Sequence, residues 1–197
     1  MNKLQTICVY CGSSLGNEEY FRSAAQSLAH AMIERKLNLV YGGGSVGLMG
    51  VIARAMHENG RSVTGIIPSA LMLKEVVETV YGELIEVSTM HERKASMVQQ
   101  ADAFIAMPGG FGTLDELFEA ITWAQLGIHK KPIGLLNVRG YFDPLLAWTE
   151  QAVAHGFVRP NHRHLFIAEE DPAALLDQLA AYEAPENVMK WLKIEQA

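Results

Sequence analysis

The sequence lacks a long hydrophobic run, an excess of positive charge and all but two cysteines. No apolar run approaches the roughly 18 residues that a transmembrane helix needs, and the N-terminal stretch turns to Gly and Ser too early for a secretory signal. Lys and Arg number 16 against 22 Asp and Glu, so the net charge is −6. This balance argues against broad nucleic-acid or membrane binding, which needs a basic face. A cytoplasmic protein is the expectation.

The two cysteines, Cys8 and Cys11, have the C-x-x-C spacing of a redox pair or half a metal site. They fall in a predicted strand, however, where positions three apart point to opposite faces. No second cysteine pair is present to complete a zinc site. We therefore expect neither a metal ion nor redox chemistry.

The 197 residues are 49% hydrophobic and 19% charged, a length and composition typical of one soluble globular domain. Continuously apolar strands alternate with amphipathic helices along the chain, which indicates a parallel sheet covered on both faces. We predict a single α/β domain over 1–184, a doubly wound, Rossmann-like parallel sheet of about seven strands with helices on both faces, and a peripheral tail over 185–197. Predicted strands are 5–11, 37–44, 62–68, 82–88, 103–110, 131–138 and 164–170; predicted helices are 18–36, 47–59, 90–101, 114–126, 142–155 and 172–182.

Three strand ends carry Gly or Ser and lead towards helices, at 11–14, 41–50 and 107–113. In a doubly wound fold, ligands bind beyond the carboxyl ends of the strands. The N-terminus of a helix offers free N–H groups and a partial positive charge that attract phosphate, and glycines allow close approach of the backbone. Phosphate-binding candidates in these loops include Ser13, Gly43, Gly44 and Gly109.

The glycines Gly42, Gly44 and Gly47 match the dinucleotide pattern G-x-G-x-x-G. The full fingerprint also has an acidic residue about 20 positions further on, to bind the ribose. The third predicted strand ends instead in Pro68, and the glycines follow the second strand rather than the first. NAD or FAD binding is therefore disfavoured, and the absence of a Walker A pattern disfavours that type of nucleotide site.

Two alternatives apply to the stretch GGFGTLDE, residues 109–116. Thr113 and Glu116 fit the S/T-x-x-E capping box, which would make this a simple helix start. Capping does not explain three nearby glycines, which an anion-binding loop does. A second capping box, Thr89 to Glu92, opens the helix that carries Arg93 and Lys94 in its first turn. Cations are unfavourable there and suggest an anionic partner, although a solvent-facing Lys94 is the simpler interpretation.

These stretches resemble a known family. PGGFGTLDE, residues 108–116, matches the P-G-G-x-G-T-x-x-E motif of the LOG (Lonely Guy) proteins, and MHERK, residues 90–94, matches their companion motif. YGGGSVGLMG and VYCGSS are also similar, and the resemblance extends to about residue 180. The family was long labelled lysine decarboxylase, but no lysine here is plausibly poised to hold pyridoxal phosphate.

The resemblance implies a cofactor-free phosphoribohydrolase of cytokinin biosynthesis. Such enzymes cleave the N-glycosidic bond of cytokinin riboside 5′-monophosphates, and many bacterial members also cleave AMP, releasing free base and ribose 5-phosphate. Arg93 and Glu116 would be the catalytic pair in a homodimer with its site near the subunit interface. The residues that would bind substrate by the same likeness are Glu75, Lys94, Gly110, Phe111, Gly112, Thr113, Leu114, Asp115 and Thr122.

This chemistry fits the residue types. Breaking an N-glycosidic bond develops positive charge on the ribose, which a carboxylate such as Glu116 can stabilise. Asp115 is adjacent in sequence and points elsewhere on a helix, so it is the weaker candidate. The alternative is a non-catalytic carrier of a phosphorylated ligand, resembling the molybdenum cofactor carrier proteins. The combination of Arg93 with Glu116 argues against it, because a carboxylate beside a bound phosphate would weaken binding.

Overall fold

The computed structural model describes residues 4–75 and 79–185. Seven strands form one sheet in the order β4-β3-β2-β1-β5-β6-β7, and every neighbouring pair is parallel. The strands are β1 Thr6–Tyr10, β2 Asn38–Tyr41, β3 Val63–Pro68, β4 Glu83–Val87, β5 Ala103–Ala106, β6 Ile133–Leu136 and β7 Ile167–Glu169.

Helices connect the strands and cover the sheet. They are α1 Glu19–Glu34, α2 Gly47–Glu58, α3 Ser69–Glu75, α4 Met90–Gln100, α5 Phe111–Gln125, α6 Asp143–Ala154 and α7 Pro172–Ala181. Two 3₁₀ turns, Val138–Gly140 and Pro160–His164, lie on either side of α6. None of these described helices combines the length and apolar character that crossing a bilayer requires.

The strand order changes direction at β1, so that strands are added on one side of it first and then on the other. The chain runs outward through β2, β3 and β4, then returns so that β5 pairs with the free side of β1, with Ile7 opposite Ala103. The carboxyl ends of all seven strands lie at one edge because the strands are parallel. In open α/β sheets, ligands bind outside that edge at the point of reversal. The β1/β5 edge is therefore where a site is expected.

The strands are apolar on both faces because helices pack on both. One hydrophobic cluster joins the sheet to α1, α2 and α7 through residues such as Leu28, Ile52 and Leu176. The other joins it to α4 and α5 through residues such as Met97 and Leu117. Burial of these apolar side chains, at about 25 cal/mol per Å², stabilises both helix layers against the sheet.

The doubly wound, parallel α/β fold with seven strands and two helix layers is confirmed. Cys8 and Cys11 lie in the clusters on opposite faces of the sheet, and both are buried free thiols. Two boundaries differ from the predictions. The segment after β3 forms the short helix α3, and α5 begins at Phe111, three residues earlier than the expected 114. Of the predicted tail, 186–197 lies outside the described residues.

Candidate active site

A cavity of about 240 Å³ opens at the β1/β5 edge of the sheet. Its walls come from the ends of β1 and β2, from α4, and from the loop and helix that follow β5. The predicted site residues that line it are Ser13, Arg93, Gly110, Phe111, Gly112, Thr113 and Glu116. Folding thus brings both proposed catalytic side chains and most of the glycine loop to one place.

The N-terminus of α5 forms one wall of this cavity. Gly110 is the N-cap residue, and its carbonyl accepts the first helical hydrogen bond from Leu114 N at 3.2 Å. The N–H groups of Phe111, Gly112 and Thr113 therefore have no partner within the helix, as in the first turn of any α-helix. Together with the helix dipole, they form a wall suited to an anion.

The capping-box interpretation of Thr113 and Glu116 is wrong. Thr113 does not precede the helix; it lies in the first turn with its side chain buried at 4% exposure. The box was mistaken for the helix start because glycines at 109, 110 and 112 lower local helix propensity. The second predicted box is confirmed, since Thr89 is the N-cap of α4 and its hydroxyl accepts from Glu92 N at 3.1 Å.

Glycine is required at position 109 for steric reasons. A Cβ there would lie 2.1 Å from the Thr113 hydroxyl and 2.8 Å from the backbone nitrogen of Gly12. The same nitrogen donates to the Pro108 carbonyl at 3.1 Å, so the loops after β1 and β5 are tied together. Gly109 allows this close approach, and the hydrogen bond between Gly12 and Pro108 fixes the N-terminus of α5 against the sheet edge.

Arg93 is almost fully buried, at 6% exposure, and its guanidinium donates to one carbonyl within β3 and one just after β2. Its Nε donates to the Ile66 carbonyl at 3.0 Å and its Nη2 to the Gly42 carbonyl at 2.8 Å. These bonds bring the side chain under the first turn of α4 and into the cavity wall. The guanidinium is therefore held in one position before any ligand binds.

The loop after β2 contributes a different glycine from the two predicted. Gly42 lines the cavity, and a Cβ on it would lie 2.2 Å from Arg93 Nη2. Gly43 has φ +81°, and a Cβ added to it would lie 3.1 Å from side chains on β3 and β4. Gly43 and Gly44 are both buried, but neither is among the residues that line the cavity.

Glu116 faces the cavity from the second turn of α5, and its charge acts on Cys8 in β1 and on Cys11 just after it. Burial raises the pKa of Cys11, and the negative charge of Glu116 raises it further. Burial and Glu116 also raise the pKa of Cys8 well above its ordinary value. Cys11, which lines the cavity floor, is therefore a neutral thiol and an unsuitable nucleophile.

Lys94 does not line the cavity and instead pairs with two acidic residues of α5. Its Nζ lies 2.5 Å from Glu119 Oε2 and 3.3 Å from Asp115 Oδ2, and its side chain is only 15% exposed. Burial lowers the pKa of Lys94, but the two carboxylates outweigh burial and leave the pKa raised. The expectation of a solvent-facing Lys94 is wrong, because α5 packs its acidic residues against it.

Two further predicted residues, Leu114 and Thr122, are not among the described residues that line the cavity. Leu114 packs into the hydrophobic cluster beneath α5, and Thr122 is exposed near the end of that helix. Glu75 ends α3, and its side chain lies outside the described residues. Asp115 and Thr122 are exposed on α5, whereas Lys94 packs against the acidic residues of that helix, and none of the three lines the cavity.

Sequence reasoning missed five residues that line the cavity. Cys11, Gly12 and Gly42 lie in loops whose Gly and Ser content predicted a binding site, but that content did not indicate which loop positions line the cavity. Val9 and Met49 carried no signal, since both read as core residues. The five are Val9, Cys11, Gly12, Gly42 and Met49. Within residues 4–75 and 79–185, no three His, Cys, Asp or Glu side chains lie close enough to hold a metal ion.

The arrangement combines three groups with different chemistry. Free N–H groups at the start of α5 suit a phosphate, and a fixed guanidinium suits oxygen atoms of an anion or a sugar. Glu116 lies six residues beyond Gly110, so its Cα atom is roughly 9 Å further along the helix axis, and its side chain lines the same cavity. An anion and a carboxylate can therefore act on two separate parts of one ligand.

Comparison with known proteins identifies the family. A family model described as "Possible lysine decarboxylase" matches residues 49–179. Cytokinin riboside 5′-monophosphate phosphoribohydrolase LOG5 of Arabidopsis thaliana is 52% identical over 182 residues, which are 92% of this chain and 80% of the relative. The LOG2 enzyme of the same plant is 53% identical over 181 residues, which are 92% of this chain and 85% of the relative.

Solved structures with this fold are more distant in sequence. The molybdenum cofactor binding protein of Rippkaea orientalis has a TM-score of 0.67 at 22% identity, over 92% of this chain and 98% of that one. The molybdenum cofactor carrier protein of Chlamydomonas reinhardtii has a TM-score of 0.65 at 20% identity, over 91% of this chain and 99% of that one. These likenesses establish a shared fold. The close sequence relatives establish the family: this chain belongs to the LOG family, as the two motifs predicted.

Proposed function

We propose that this protein is an N-glycosidase that hydrolyses nucleoside 5′-monophosphates to free base and ribose 5-phosphate. One observation carries the proposal: Arg93 and Glu116 share a single cavity with the free N–H groups at the start of α5. The family relatives are named as phosphoribohydrolases of cytokinin riboside 5′-monophosphates. The cavity offers the groups that such a substrate needs.

The 5′-phosphate binds at the N-terminus of α5 in this proposal. The N–H groups of Phe111, Gly112 and Thr113 donate to its oxygens, and the helix dipole favours its charge. Ser13, which lines the same cavity, supplies a hydroxyl nearby. Binding the phosphate there directs the ribose along the cavity towards Glu116.

Glu116 acts on the ribose. As the bond between C1′ and the base nitrogen lengthens, positive charge develops on C1′ and the ring oxygen, and the carboxylate stabilises that charge. A water positioned by the same carboxylate supplies the hydroxyl that bonds to C1′, while its proton balances the departing base. Arg93, held by the Ile66 and Gly42 carbonyls, orients the ribose hydroxyls or Glu116 itself.

The substrate class includes AMP and its isopentenylated cytokinin counterpart. The relatives named for cytokinin ribosides support the second, and the groups proposed to act contact only phosphate and ribose, which both share. Discrimination between the two rests on apolar volume around the base, which contributes roughly 1–3 kcal/mol per methylene.

A homodimer with its site near the interface is part of the proposal. Phe111 lines the cavity yet is 94% exposed, and Met90 and Trp148 are 42% and 50% exposed. Trp148 packs edge-on against Phe118, on the same helix as Phe111, with ring centroids 5.7 Å apart. Exposed aromatics of this kind mark protein interfaces. A partner that covers Phe111 would adjoin the cavity.

A phosphate-ligand carrier is the less supported alternative. The fold likeness to molybdenum cofactor proteins supports only a common architecture. A carboxylate in the ligand cavity repels a phosphorylated ligand unless it serves another part of that ligand. Glu116 lines the cavity, so hydrolysis explains its presence better than carriage does.

The variant Glu116→Gln tests the catalytic assignment. It keeps the shape of the side chain but removes the charge, so we expect turnover of AMP to fall by at least about 100-fold while AMP binding persists. Asp115→Asn is the matched control, because Asp115 is 61% exposed and paired with Lys94 on the outer surface. Base release and AMP affinity are measured for both variants; wild-type-like rates in Glu116→Gln would end the assignment.

A further inference from the structure

A second cavity of about 280 Å³ adjoins the first at the glycine loops. The two share Gly12, Ser13 and Gly110 as a common wall. Tyr141 lines only the second cavity, and its hydroxyl donates to the Gly109 carbonyl at 2.5 Å. A side chain from the segment after β6 thus reaches the loop that leads into α5.

The two residues before Tyr141 have left-handed backbone conformations. Arg139 and Gly140 both have positive φ, at 52° and 73°, immediately before it. A non-glycine residue in this region is disfavoured by sterics, so the surrounding structure must hold it. Asn137 does so: its amide accepts from Phe142 N at 2.7 Å and donates to Asp143 Oδ1 at 2.8 Å.

Aromatic packing fixes the ring of Tyr141 independently of the glycine loop. The ring meets Phe21 edge-on, with centroids 5.8 Å apart and planes at 87°, and meets Phe142 at 5.2 Å and 89°. Edge-to-face pairs at these distances are favourable. The hydroxyl therefore occupies a set position, and the Gly109 carbonyl is oriented towards it.

Orienting that carbonyl also orients the next N–H group. The peptide between Gly109 and Gly110 is trans and planar, so its C=O and N–H point in opposite directions. With the Gly109 oxygen directed at Tyr141 in the second cavity, the Gly110 N–H is directed away from it. Gly110 lies on the wall shared with the first cavity, at the N-terminus of α5.

We propose that Tyr141 is a positioning residue for phosphate recognition, which sets the Gly109–Gly110 peptide so that the loop's N–H groups meet the 5′-phosphate. The inference rests on the proposed function for the identity of the ligand. Tyr141 lines only the second cavity and acts through the Gly109 carbonyl, so its effect should be confined to phosphate-bearing ligands. The Pro108 carbonyl, held by Gly12 N at 3.1 Å, is the second fixed point of the loop.

Tyr141→Phe tests this role, because it removes the hydroxyl and keeps the ring that packs on Phe21. We expect the dissociation constant for ribose 5-phosphate and the KM for AMP to rise about 3- to 10-fold, the effect of one neutral hydrogen bond. The kcat for AMP and the dissociation constant for adenosine should stay within about twofold of wild type. Tyr182→Phe is the matched control, since the Tyr182 hydroxyl donates to the His164 carbonyl at 3.3 Å, away from both cavities.

The outcomes separate this inference from the proposed function. Unchanged affinity for ribose 5-phosphate in Tyr141→Phe, or equal weakening for ribose 5-phosphate and adenosine, overturns the positioning role. If the wild-type protein releases no base from AMP, hydrolysis fails, while the titrations still decide the role of Tyr141 because they need no turnover. A wild-type protein that binds neither AMP nor ribose 5-phosphate overturns both.

Discussion

The substitution Gly42→Ala should displace the Arg93 guanidinium, although Arg93 itself is unchanged. The new Cβ would lie 2.2 Å from Arg93 Nη2, whereas ordinary van der Waals contact begins near 3.4 Å, so the guanidinium must retreat by about 1 Å. That retreat disturbs the 2.8 Å hydrogen bond to the Gly42 carbonyl. Displacing a catalytic group by about 1 Å lowers kcat/KM on the order of 100-fold, or about 2.7 kcal/mol.

A double-mutant cycle shows whether Arg93 carries this effect. The kcat/KM for AMP is measured for wild type, Gly42→Ala, Arg93→Ala and the double variant. If the alanine acts by displacing Arg93, the double variant is no slower than Arg93→Ala alone. Thermal melting of each variant sets an assay temperature at which all are folded, because losing a buried charged hydrogen bond costs about 1.5–3 kcal/mol. A wild-type rate in Gly42→Ala, or additive losses in the double variant, refutes the reasoning.

Two further predictions concern assembly and pH. Sedimentation equilibrium should give twice the 21.7 kDa chain mass, with the exposed ring of Phe111 becoming buried; a monomer at assay concentration contradicts the interface. Burial, then the charge of Lys131, lowers the pKa of His129 from 6.5 to about 4. As pH falls below 6.5, His129 is therefore protonated in the unfolded chain before it is protonated in the folded protein. This difference lowers the free energy of unfolding by about 2 kcal/mol between pH 7 and 5. His129→Gln should reduce that pH dependence in urea denaturation and the exposed His155→Gln should not; identical pH profiles for wild type and His129→Gln contradict it.

The sheet was predictable because its strands are buried on both faces. Segments such as 103–106 and 133–136 are entirely buried, so they appear as short apolar runs with no competing helical periodicity. The position of the site was predictable for a related reason. Gly and Ser concentrate after β1, β2 and β5, which meet at the point where the sheet reverses direction.

The details that sequence could not supply depend on contacts between distant segments. The start of α5 was misplaced because Gly110 and Gly112 weaken local helix propensity, whereas the fold stabilises the helix from Phe111 onward. The burial of Lys94 depends on acidic residues 21 and more positions away. The contact of Tyr141 with Gly109 spans 32 positions, and no local pattern indicates it.

Product analysis tests the hydrolase proposal most directly. The purified protein is incubated with AMP and with isopentenyladenosine 5′-monophosphate, without added cofactor, and free base and ribose 5-phosphate are quantified by chromatography. We expect the two products in equal amounts from at least one nucleotide, with formation at least about 100-fold slower in Glu116→Gln. Intact nucleotide after incubation, with nucleotide still bound in a titration, would contradict hydrolysis and favour a carrier of phosphorylated ligands.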